Sequence, residues 1–225
     1  MKQPTPYYIE DGVALYHGKA EDILPTLKPA DLVLTDVPYG AVNRKSGGLR
    51  NLDKSDADQT DMTPETLARL LIPSSKGSIY IWCGTEQVSC LRAAMVAEGM
   101  STRAVVWEKT NPSPMNGQHL WLSSIELCVY GKRAGAEFNE VCASPVWRGP
   151  VAESNGHPTP KPQWLMNKLI QASSSKGQTV LDPFCGSGTT LRAAKDLGRK
   201  VVGIEANERY CKIAVARLSQ EVLGL

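Results

Sequence analysis

Short apolar, β-rich segments alternate with helical patterns along this chain, and this alternation constrains the fold more than any other feature. Such an order is typical of βαβ units, in which helices join parallel strands and cover the sheet. We therefore predict an α/β fold with a largely parallel sheet. The seven predicted strands are Ala14–His17, Asp31–Thr35, Ser78–Trp82, Arg103–Trp107, Ile125–Tyr130, Thr179–Leu181 and Lys200–Ile204.

Helical patterns fall between many of these strands. Thr63 followed by Pro64 predicts a helix start, and Thr85 is predicted to cap a second helix. Arg103–Trp107 and Ile125–Tyr130 have no helix between them, so we expect an antiparallel pair at one edge of the sheet. Further helices are predicted near Trp164 and over Thr189–Leu197 and Asn207–Leu218.

Composition indicates a soluble globular chain. Its 225 residues are 42% hydrophobic and 21% charged, which suits one domain with its own core. The net charge is only +2, so contact with a nucleic acid requires a local basic patch or flexible loops. The apolar runs are too short to span a bilayer and the polar N-terminus is no signal peptide, so we expect a cytoplasmic protein.

The six cysteines predict neither disulfides nor a metal site. They form no C-x-x-C pair, and no histidine lies at a spacing typical of zinc ligands. We expect buried or half-buried thiols in a reducing compartment and no bound metal.

The first of two acidic turns follows the strand that contains Leu32–Leu34 and reads Asp36-Val37-Pro38-Tyr39. Ligands of open α/β sheets bind beyond the carboxyl ends of the strands. A carboxylate there can accept a hydrogen bond from an exocyclic amine, and a tyrosine ring offers a face on which a base can stack. The alternative is a surface turn without function.

The second acidic turn contains two glycines and opens a helix at Asp182–Thr190. Glycines allow a ligand to approach the main chain, and a helix N-terminus favours a negative group. Glu205 ends the next predicted strand, where an acid commonly binds ribose hydroxyl groups. Leu191 stands where a dinucleotide fingerprint has its third glycine, so we expect a nucleoside with a carboxylate tail.

These residues resemble the motifs of the amino-methylating DNA methyltransferases that use S-adenosylmethionine. Asp36–Tyr39 resembles the D-P-P-Y catalytic motif, and Asp182–Thr190 resembles the D-P-F-x-G-S-G-T-T cofactor motif at every fixed position. The catalytic motif comes first, which is the order of the β class. The resemblance implies a Rossmann-like, seven-stranded mixed sheet with circularly permuted motifs, one catalytic domain over residues 1–225, S-adenosylmethionine as cofactor and double-stranded DNA as partner.

The resemblance also implies residue roles. Asp36, Val37, Pro38 and Tyr39 form the catalytic set, in which the Val37 carbonyl and the Asp36 carboxylate each accept a hydrogen bond from the target amine. Segments 107–109 and 124–126 resemble two weaker motifs, and residues 157–162 resemble a segment that closes over the methionine tail. The implied cofactor-binding residues are Ala20, Asp36, His157, Thr159, Lys161, Asp182, Pro183, Phe184, Cys185, Gly186, Ser187, Gly188, Thr189, Glu205 and Ala206.

The chain departs from the family pattern at two positions. Val37 stands where the family has proline, so it keeps the carbonyl group but lacks the ring that fixes φ. Looser positioning of the target amine is the expected result. Lys19 replaces an acid that usually helps to hold adenine, and we expect main-chain contacts near Ala20 to substitute for it.

Two long stretches without apolar periodicity, at about residues 40–62 and 133–156, are predicted to contact the DNA. The second stretch is short for a complete recognition domain, so we expect a homodimer to supply more reading surface. The predicted phosphate contacts are Arg44, Lys45, Arg50, Lys54, Arg133 and Arg148.

The expected target is the N6 amine of a flipped adenine, because an aspartate at the first position of the tetrapeptide resembles the adenine-modifying members. The N4 amine of cytosine is the nearest alternative. Methylation of cytosine carbon 5 is disfavoured, because it needs a Pro-Cys nucleophile and the chain has no such dipeptide. An RNA or protein-amide methyltransferase and an inactive DNA-binding relative remain as further alternatives.

Overall fold

The computed structural model describes residues 4–38, 62–113, 121–152 and 160–220. Within these ranges, nine strands form one sheet. They are β1 (Tyr8–Glu10), β2 (Val13–His17), β3 (Ala30–Asp36), β4 (Ser75–Cys83), β5 (Ser101–Lys109), β6 (Ile125–Lys132), β7 (Val146–Gly149), β8 (Thr179–Asp182) and β9 (Lys200–Glu205). The strand order across the sheet is β1-β2-β9-β8-β3-β4-β6-β5-β7.

Six α-helices accompany the sheet in the described ranges. They are α1 (Ala20–Ile23), α2 (Pro64–Leu71), α3 (Val88–Ala97), α4 (Gln163–Ser173), α5 (Thr189–Asp196) and α6 (Glu208–Leu218). N-cap side chains begin α2 and α6. The Thr63 side chain accepts a hydrogen bond from the main-chain N–H of Thr66, and the Asn207 side chain accepts one from that of Arg209. The Thr85 prediction was wrong, since α3 begins at Val88 with Gln87 at its N-cap.

Strand direction places most strand ends on one side of the molecule. β2, β9, β8, β3 and β4 run parallel, β6 is antiparallel to both β4 and β5, and β7 is parallel to β5. We call the side on which the parallel strands end the carboxyl edge. The chain leaves this edge after Asp36, Lys109 and Gly149, so segments 37–63, 110–124 and 150–162 all begin there.

The helices cover both faces of the sheet because the strands are apolar on both sides. Along β3, Leu32 and Leu34 belong to one buried cluster, and Val33 belongs to the other. Leucines of α4 and α5 pack into the first cluster, and leucines of α2 and α3 pack into the second. Each fully buried leucine contributes about 1.5–3 kcal/mol relative to an exposed one, so the two layers hold β3 rigidly.

The α/β fold is confirmed, and all seven predicted strands are present. The antiparallel pairing of β5 with β6 is also confirmed, but neither strand is the outermost strand of the sheet, because β7 pairs with the other side of β5. β1 and β7 escaped prediction because both are short and mostly exposed, which removes the apolar signal that marks a strand. No helix in the described ranges combines the length and apolar character needed to cross a bilayer.

Candidate active site at the carboxyl edge of the sheet

Two acidic side chains end neighbouring strands at the carboxyl edge. Asp36 ends β3 and Asp182 ends β8, and these strands pair in parallel. The hydroxyl group of Thr35 donates a hydrogen bond to Oδ1 of Asp182 over 2.8 Å. Thr35 thereby ties the strand that carries the first acidic turn to the strand that carries the second.

Asp182 is an unusual carboxylate because it is almost completely buried, with 3% of its surface exposed. Burial, with a smaller contribution from the nearby charge of Asp36, raises the pKa of the Asp182 carboxyl group to about 6. Hydrogen bonds from Thr190, Thr35 and the main-chain N–H of Phe184 limit this rise. A positive group placed beside Asp182 will therefore favour its ionised form.

A chain of charges reaches Asp36 from three other segments. The Nζ atom of Lys161, just before α4, forms an ion pair with Oδ2 of Asp36. The same atom lies 2.9 Å from Oε2 of Glu126, and Nζ of Lys109 lies 2.8 Å from Oε1 of Glu126. We refer to Asp36, Lys161, Glu126 and Lys109 as the charge network.

The charge network is largely shielded from solvent, which strengthens its interactions. The side chain of Lys161 is 8% exposed and that of Glu126 is 20% exposed. Burial opposes the ionisation of Glu126, but the ammonium groups of Lys161 and Lys109 outweigh it and lower the pKa of the carboxyl group. Lys161 also lies 5.7 Å from the ring centre of the fully buried Trp82. These contacts fix the ammonium group that binds the Asp36 carboxylate.

The turn after Asp36 is anchored at two main-chain positions. The N–H of Val37 donates a hydrogen bond to the carbonyl oxygen of Trp82 on β4, over 3.1 Å. The carbonyl oxygen of Pro38 accepts a hydrogen bond from Nε2 of Gln87, over 3.3 Å. Oε1 of Gln87 in turn accepts the N–H of Gly84, over 2.9 Å.

The glycine turn after β8 needs its glycines for two physical reasons. Gly186 and Gly188 have φ values of 50° and 78°, which side chains other than glycine rarely adopt. A Cβ atom at Gly188 would lie only 2.9 Å from the Cβ atom of Ala214 on α6. The turn therefore brings α5 and α6 close together and leaves main-chain groups at the carboxyl edge.

Glu205 links the glycine turn to the end of β9. Its carboxylate accepts the N–H groups of Gly186 and Asn207, each over 2.8 Å, and 7% of its surface is exposed. The end of β2 lies alongside, because the N–H of Gly18 donates to the carbonyl oxygen of Glu205 over 2.9 Å. A buried carboxylate at a strand end, beside a glycine turn, matches the donor and acceptor set that binds a ribose.

The structure brings most of the predicted cofactor-binding residues together. Residues 182–189 span the end of β8 and the start of α5, and Glu205 and Ala206 follow at the end of β9. Ala20 begins α1 directly after β2, and the neighbouring Nε2 atom of His17 lies 3.1 Å from the carbonyl oxygen of Ala206. Seven of the predicted site residues lie outside the described ranges: Tyr39, His157, Thr159, Arg44, Lys45, Arg50 and Lys54.

Lys161 forms ion pairs with Asp36 and Glu126, contacts that the sequence did not predict. Its expected part in holding the cofactor stays a prediction. Sequence reasoning assigned no role to Glu126, Lys109 or Thr35. The available signal was polarity within strand patterns, because charged and hydroxyl side chains stand there among apolar neighbours.

The structure places Arg133, a predicted DNA contact, beside the start of β4, and its DNA contact stays a prediction. Its guanidinium donates to the carbonyl oxygens of Ser75 and Ile72, each over 3.0 Å, where β4 begins. That position lies roughly 20 Å along β4 from the carboxyl edge. Arg148 is placed differently, since it lies on β7 near the carboxyl edge, 71% exposed, with Nε 3.3 Å from Oε1 of Glu108.

β7 also divides the second predicted DNA-contacting stretch. Residues 133–145 leave β6 at the side of the sheet opposite the carboxyl edge and reach β7 at Val146, which pairs with Val106 in the carboxyl-terminal half of β5. The chain leaves β7 at the carboxyl edge after Gly149, where residues 150–156 of the predicted stretch begin. Segment 110–124 also begins at that edge, and sequence reasoning did not assign it to the DNA-contacting stretches.

The cysteines are unsuited to nucleophilic chemistry. All six are free thiols, and five are buried or half-buried, whereas Cys142 is exposed. Burial raises the pKa of Cys83 to about 12 and that of Cys185 well above its ordinary value. Within the described ranges, His, Cys, Asp and Glu side chains form no group of three that would hold a metal ion.

Comparison with known proteins finds the same family from several directions. A family model described as DNA methylase, N6_N4_Mtase, matches residues 30–216. The chain is 30% identical to the type II methyltransferase M2.DpnII of Streptococcus pneumoniae over 250 residues, covering 96% of this chain and 93% of that protein. It is 29% identical to the type II methyltransferase M2.LlaDCHI of Lactococcus lactis subsp. cremoris over 249 residues, covering 96% and 92%.

Solved structures share the architecture. The complex of M1.HpyAVI with SAM superposes with a TM-score of 0.73 at 27% identity, covering 92% of this chain and 100% of that one. The cytosine-N4-specific PvuII DNA methyltransferase superposes with a TM-score of 0.73 at 17% identity, covering 97% and 90%, and this likeness concerns the fold alone.

Proposed function

Because the chain belongs to the DNA methylase family N6_N4_Mtase, we propose that it transfers a methyl group from S-adenosylmethionine to the N6 amine of an adenine in double-stranded DNA. One observation carries the proposal. Asp36 and Asp182 end adjacent parallel strands, and the hydrogen bond from Thr35 to Asp182 holds these ends together over 2.8 Å. A carboxylate for the target amine thus stands beside the turn that would hold the methyl donor.

The residues of the glycine turn fit S-adenosylmethionine. The Glu205 carboxylate suits the ribose hydroxyl groups, and the ionised form of Asp182 suits a positively charged part of the cofactor. Pro183–Thr189, Ala206 and Ala20 complete the proposed cofactor contacts, together with His157 and Thr159. When bound, the cofactor supplies an electrophilic methyl group on a sulfonium.

Asp36 and Val37 activate the amine in the proposed mechanism. The lone pair of an aromatic amine is delocalised into the ring, so the amine is a poor nucleophile. The Asp36 carboxylate and the Val37 carbonyl each accept one N–H, which draws the nitrogen toward tetrahedral geometry and aims its lone pair. Asp36 then takes up the proton that the nitrogen loses after methylation, and no covalent bond to the protein is required.

Lys161 compensates the charge of Asp36 from one side. A carboxylate has two oxygens and about four acceptor positions, so an ion pair at Oδ2 is compatible with an amine at Oδ1. Glu126 and Lys109 hold the ammonium group in place. In this arrangement the charge network orients the Asp36 carboxylate. Pro38 stiffens the turn, and the ring of Tyr39 stacks on the extruded base.

The decisive experiment identifies the product. The protein is incubated with duplex DNA and methyl-labelled S-adenosylmethionine, and the DNA is digested to nucleosides. We expect N6-methyl-2′-deoxyadenosine from DNA, whereas N4-methyl-2′-deoxycytidine would overturn the base assignment. Transfer to RNA or protein alone, or no transfer, would overturn the proposed activity.

We also propose that residues 1–225 act as one cytoplasmic catalytic domain and pair as a homodimer. One sheet includes strands from residue 8 to residue 205, which supports a single unit. The exposed side chains of Ile125 and Val146, each 52% exposed, offer apolar contacts for a second copy. Analytical ultracentrifugation tests the pairing, because a mass of 24.4 kDa across the micromolar range would contradict it.

A further inference from the structure

We propose that Gln87 is a positioning residue for methyl transfer, which aims the Val37 carbonyl at the target amine and offsets the absence of proline at position 37. The inference rests on the proposed function, because it uses the acceptor role of that carbonyl. It goes beyond that function, because it assigns a task to a residue that lies outside both acidic turns.

The Val37 carbonyl lies between two anchored points of the main chain. Before it, the Val37 N–H is bound to the Trp82 carbonyl oxygen over 3.1 Å. After it, the Pro38 carbonyl oxygen is bound to Nε2 of Gln87 over 3.3 Å. The ring of Pro38 also fixes its own φ, so little rotational freedom remains in the peptide plane that carries the Val37 carbonyl.

A proline at position 37 would restrain the turn in a different way. Its ring would fix φ, but it would have no N–H for the Trp82 carbonyl oxygen. The last residue pair between β3 and β4 is Asp36 with Trp82, and the Val37 N–H adds one hydrogen bond beyond it. Val37 is buried, with 2% of its surface exposed. Hydrogen bonds on both sides of the carbonyl thus replace a covalent restraint.

Gln87 is itself held at several atoms, which makes it a rigid donor. It is 2% exposed, and its Oε1 accepts the N–H of Gly84 over 2.9 Å. Its main-chain N–H donates to the carbonyl oxygen of Gly84, and its own carbonyl oxygen accepts the N–H of Leu91. The side chain makes no capping hydrogen bond to α3, although Gln87 occupies the N-cap position. Its donor is directed at the catalytic turn instead.

The chain contains a matched control glutamine at the opposite side of the sheet. Oε1 of Gln178 accepts the N–H of Ser175 over 2.9 Å, three residues earlier, as Oε1 of Gln87 accepts that of Gly84. Gln178 directly precedes β8 and is remote from Pro38. Replacing each glutamine by leucine removes the same local turn contact, but only Gln87→Leu removes the contact with Pro38.

The test measures kcat and KM for DNA, cofactor affinity by calorimetry and the thermal midpoint. We expect Gln87→Leu to lower kcat by about tenfold, with cofactor affinity within about twofold of the wild type. Gln178→Leu should keep its kcat and lose less thermal stability, because Gln178 is only half-buried and has no contact with Pro38. Adding Val37→Pro to Gln87→Leu should recover part of kcat, because the ring restores a restraint on φ.

A second variant gives a pH signature that loss of stability alone would not produce. A glutamate at position 87 donates to the Pro38 carbonyl oxygen only when its buried carboxyl group is protonated, and burial raises the pKa of such a group. The kcat of Gln87→Glu, relative to wild type, should therefore rise as pH falls from 8 to 6.

The outcomes separate the two proposals. An active wild type with unchanged kcat in Gln87→Leu would overturn the inference alone. A flat relative pH profile for Gln87→Glu, or equal losses of kcat in Gln87→Leu and Gln178→Leu, would also overturn it. A wild type that transfers no methyl group would overturn the proposed function and this inference together.

Discussion

Lys161 forms an ion pair with Asp36 although 125 positions separate the two residues in the chain. The contact joins the segment before α4 to the end of β3, and Glu126 holds the same ammonium group from β6. The carboxylate that is proposed to accept the target amine is therefore oriented by charges from distant segments. Three predictions test this arrangement, two test Asp182 and Glu205 at the proposed cofactor site, and one tests the predicted DNA contacts.

Asp36→Ala should lower methyl transfer by roughly a thousandfold or more, because the amine loses its charged acceptor and its alignment. Cofactor binding, measured by calorimetry, should survive. Asp31 lies at the start of the same strand, where its carboxylate accepts the N–H of Thr179 over 2.8 Å. Asp31→Asn keeps an acceptor there and serves as the control with retained turnover. Substantial turnover by Asp36→Ala would remove Asp36 from the mechanism.

Lys161→Met should lower kcat by up to about a hundredfold, because the Asp36 carboxylate loses the group that fixes it. The change should also reduce the free energy of unfolding by about 2 kcal/mol, since it leaves Glu126 shielded with only Lys109 as a charge partner. Denaturant titration and steady-state kinetics measure the two effects. Lys168→Met, on the exposed side of α4, is the matched control.

A double-mutant cycle distinguishes a network from independent pairs. Combining Lys161→Met with Glu126→Gln should cost clearly less than the sum of the single changes, because the second substitution removes a charge that the first has left poorly compensated. The free energies of unfolding of the four proteins give the coupling. Additive effects would show that Lys161 acts on Asp36 without help from Glu126.

The raised pKa of Asp182 predicts a pH dependence of stability. The folded chain holds this proton up to about pH 6, whereas an ordinary aspartate in the unfolded chain releases it near 3.8. The stabilising effect of the proton is therefore complete below about pH 3.8 and is lost as pH rises through 6. Relative to Asp182→Asn, the wild type should lose about 2 kcal/mol of unfolding free energy between pH 4 and 8. Parallel curves for both proteins would contradict this prediction.

Glu205→Gln should weaken the binding of S-adenosylmethionine by roughly tenfold to a hundredfold. The amide nitrogen cannot accept a main-chain N–H, so either Gly186 or Asn207 loses its acceptor, and the ribose loses a charged partner. Isothermal calorimetry measures the affinity. Glu208→Gln, on the exposed surface of α6, should bind the cofactor as the wild type does.

Salt dependence separates Arg133 and Arg148, the two predicted phosphate contacts that lie within the described residues. Arg148→Ala should reduce the slope of log binding constant against log salt by about one, as expected for one lost phosphate contact. Arg133→Ala should leave the slope unchanged and lower the thermal midpoint, because Arg133 holds the carbonyl groups of Ser75 and Ile72. A reduced slope for Arg133→Ala and an unchanged slope for Arg148→Ala would instead identify Arg133 as the phosphate contact.

Sequence patterns sufficed for elements whose signal is local. The apolar runs of β3 and β8 and the cap at Thr63 depend on neighbours in the chain, so their positions were predictable. β7 was not predictable, because its burial is slight and its pairing with β5 joins residues about 40 positions apart. Thr85 shows the same limit, since threonine is a common N-cap residue, yet α3 begins only at Val88, after Gln87, whose side chain makes no capping hydrogen bond.

The acidic turns were predictable for the same local reason, whereas the charge network was not. Lys161, Glu126 and Lys109 come from three segments, and their meeting depends on the order in which β3, β4, β6 and β5 lie in the sheet. A charged residue in a strand pattern signals that a partner exists, but it does not identify the partner. Sheet order supplies that information, and it depends on long-range packing.

Segments 37–63, 110–124 and 150–162 all leave the sheet at the carboxyl edge, and this has an evolutionary consequence. These connections can lengthen, shorten or be exchanged without altering the hydrophobic layers beneath them, and Arg133 secures the far side independently. The exchange must spare residues 37–39 and 157–161, because these parts of the first and third segments carry the proposed catalytic and cofactor contacts. Transplanting only the remaining parts of the three segments between relatives would show whether they select the target.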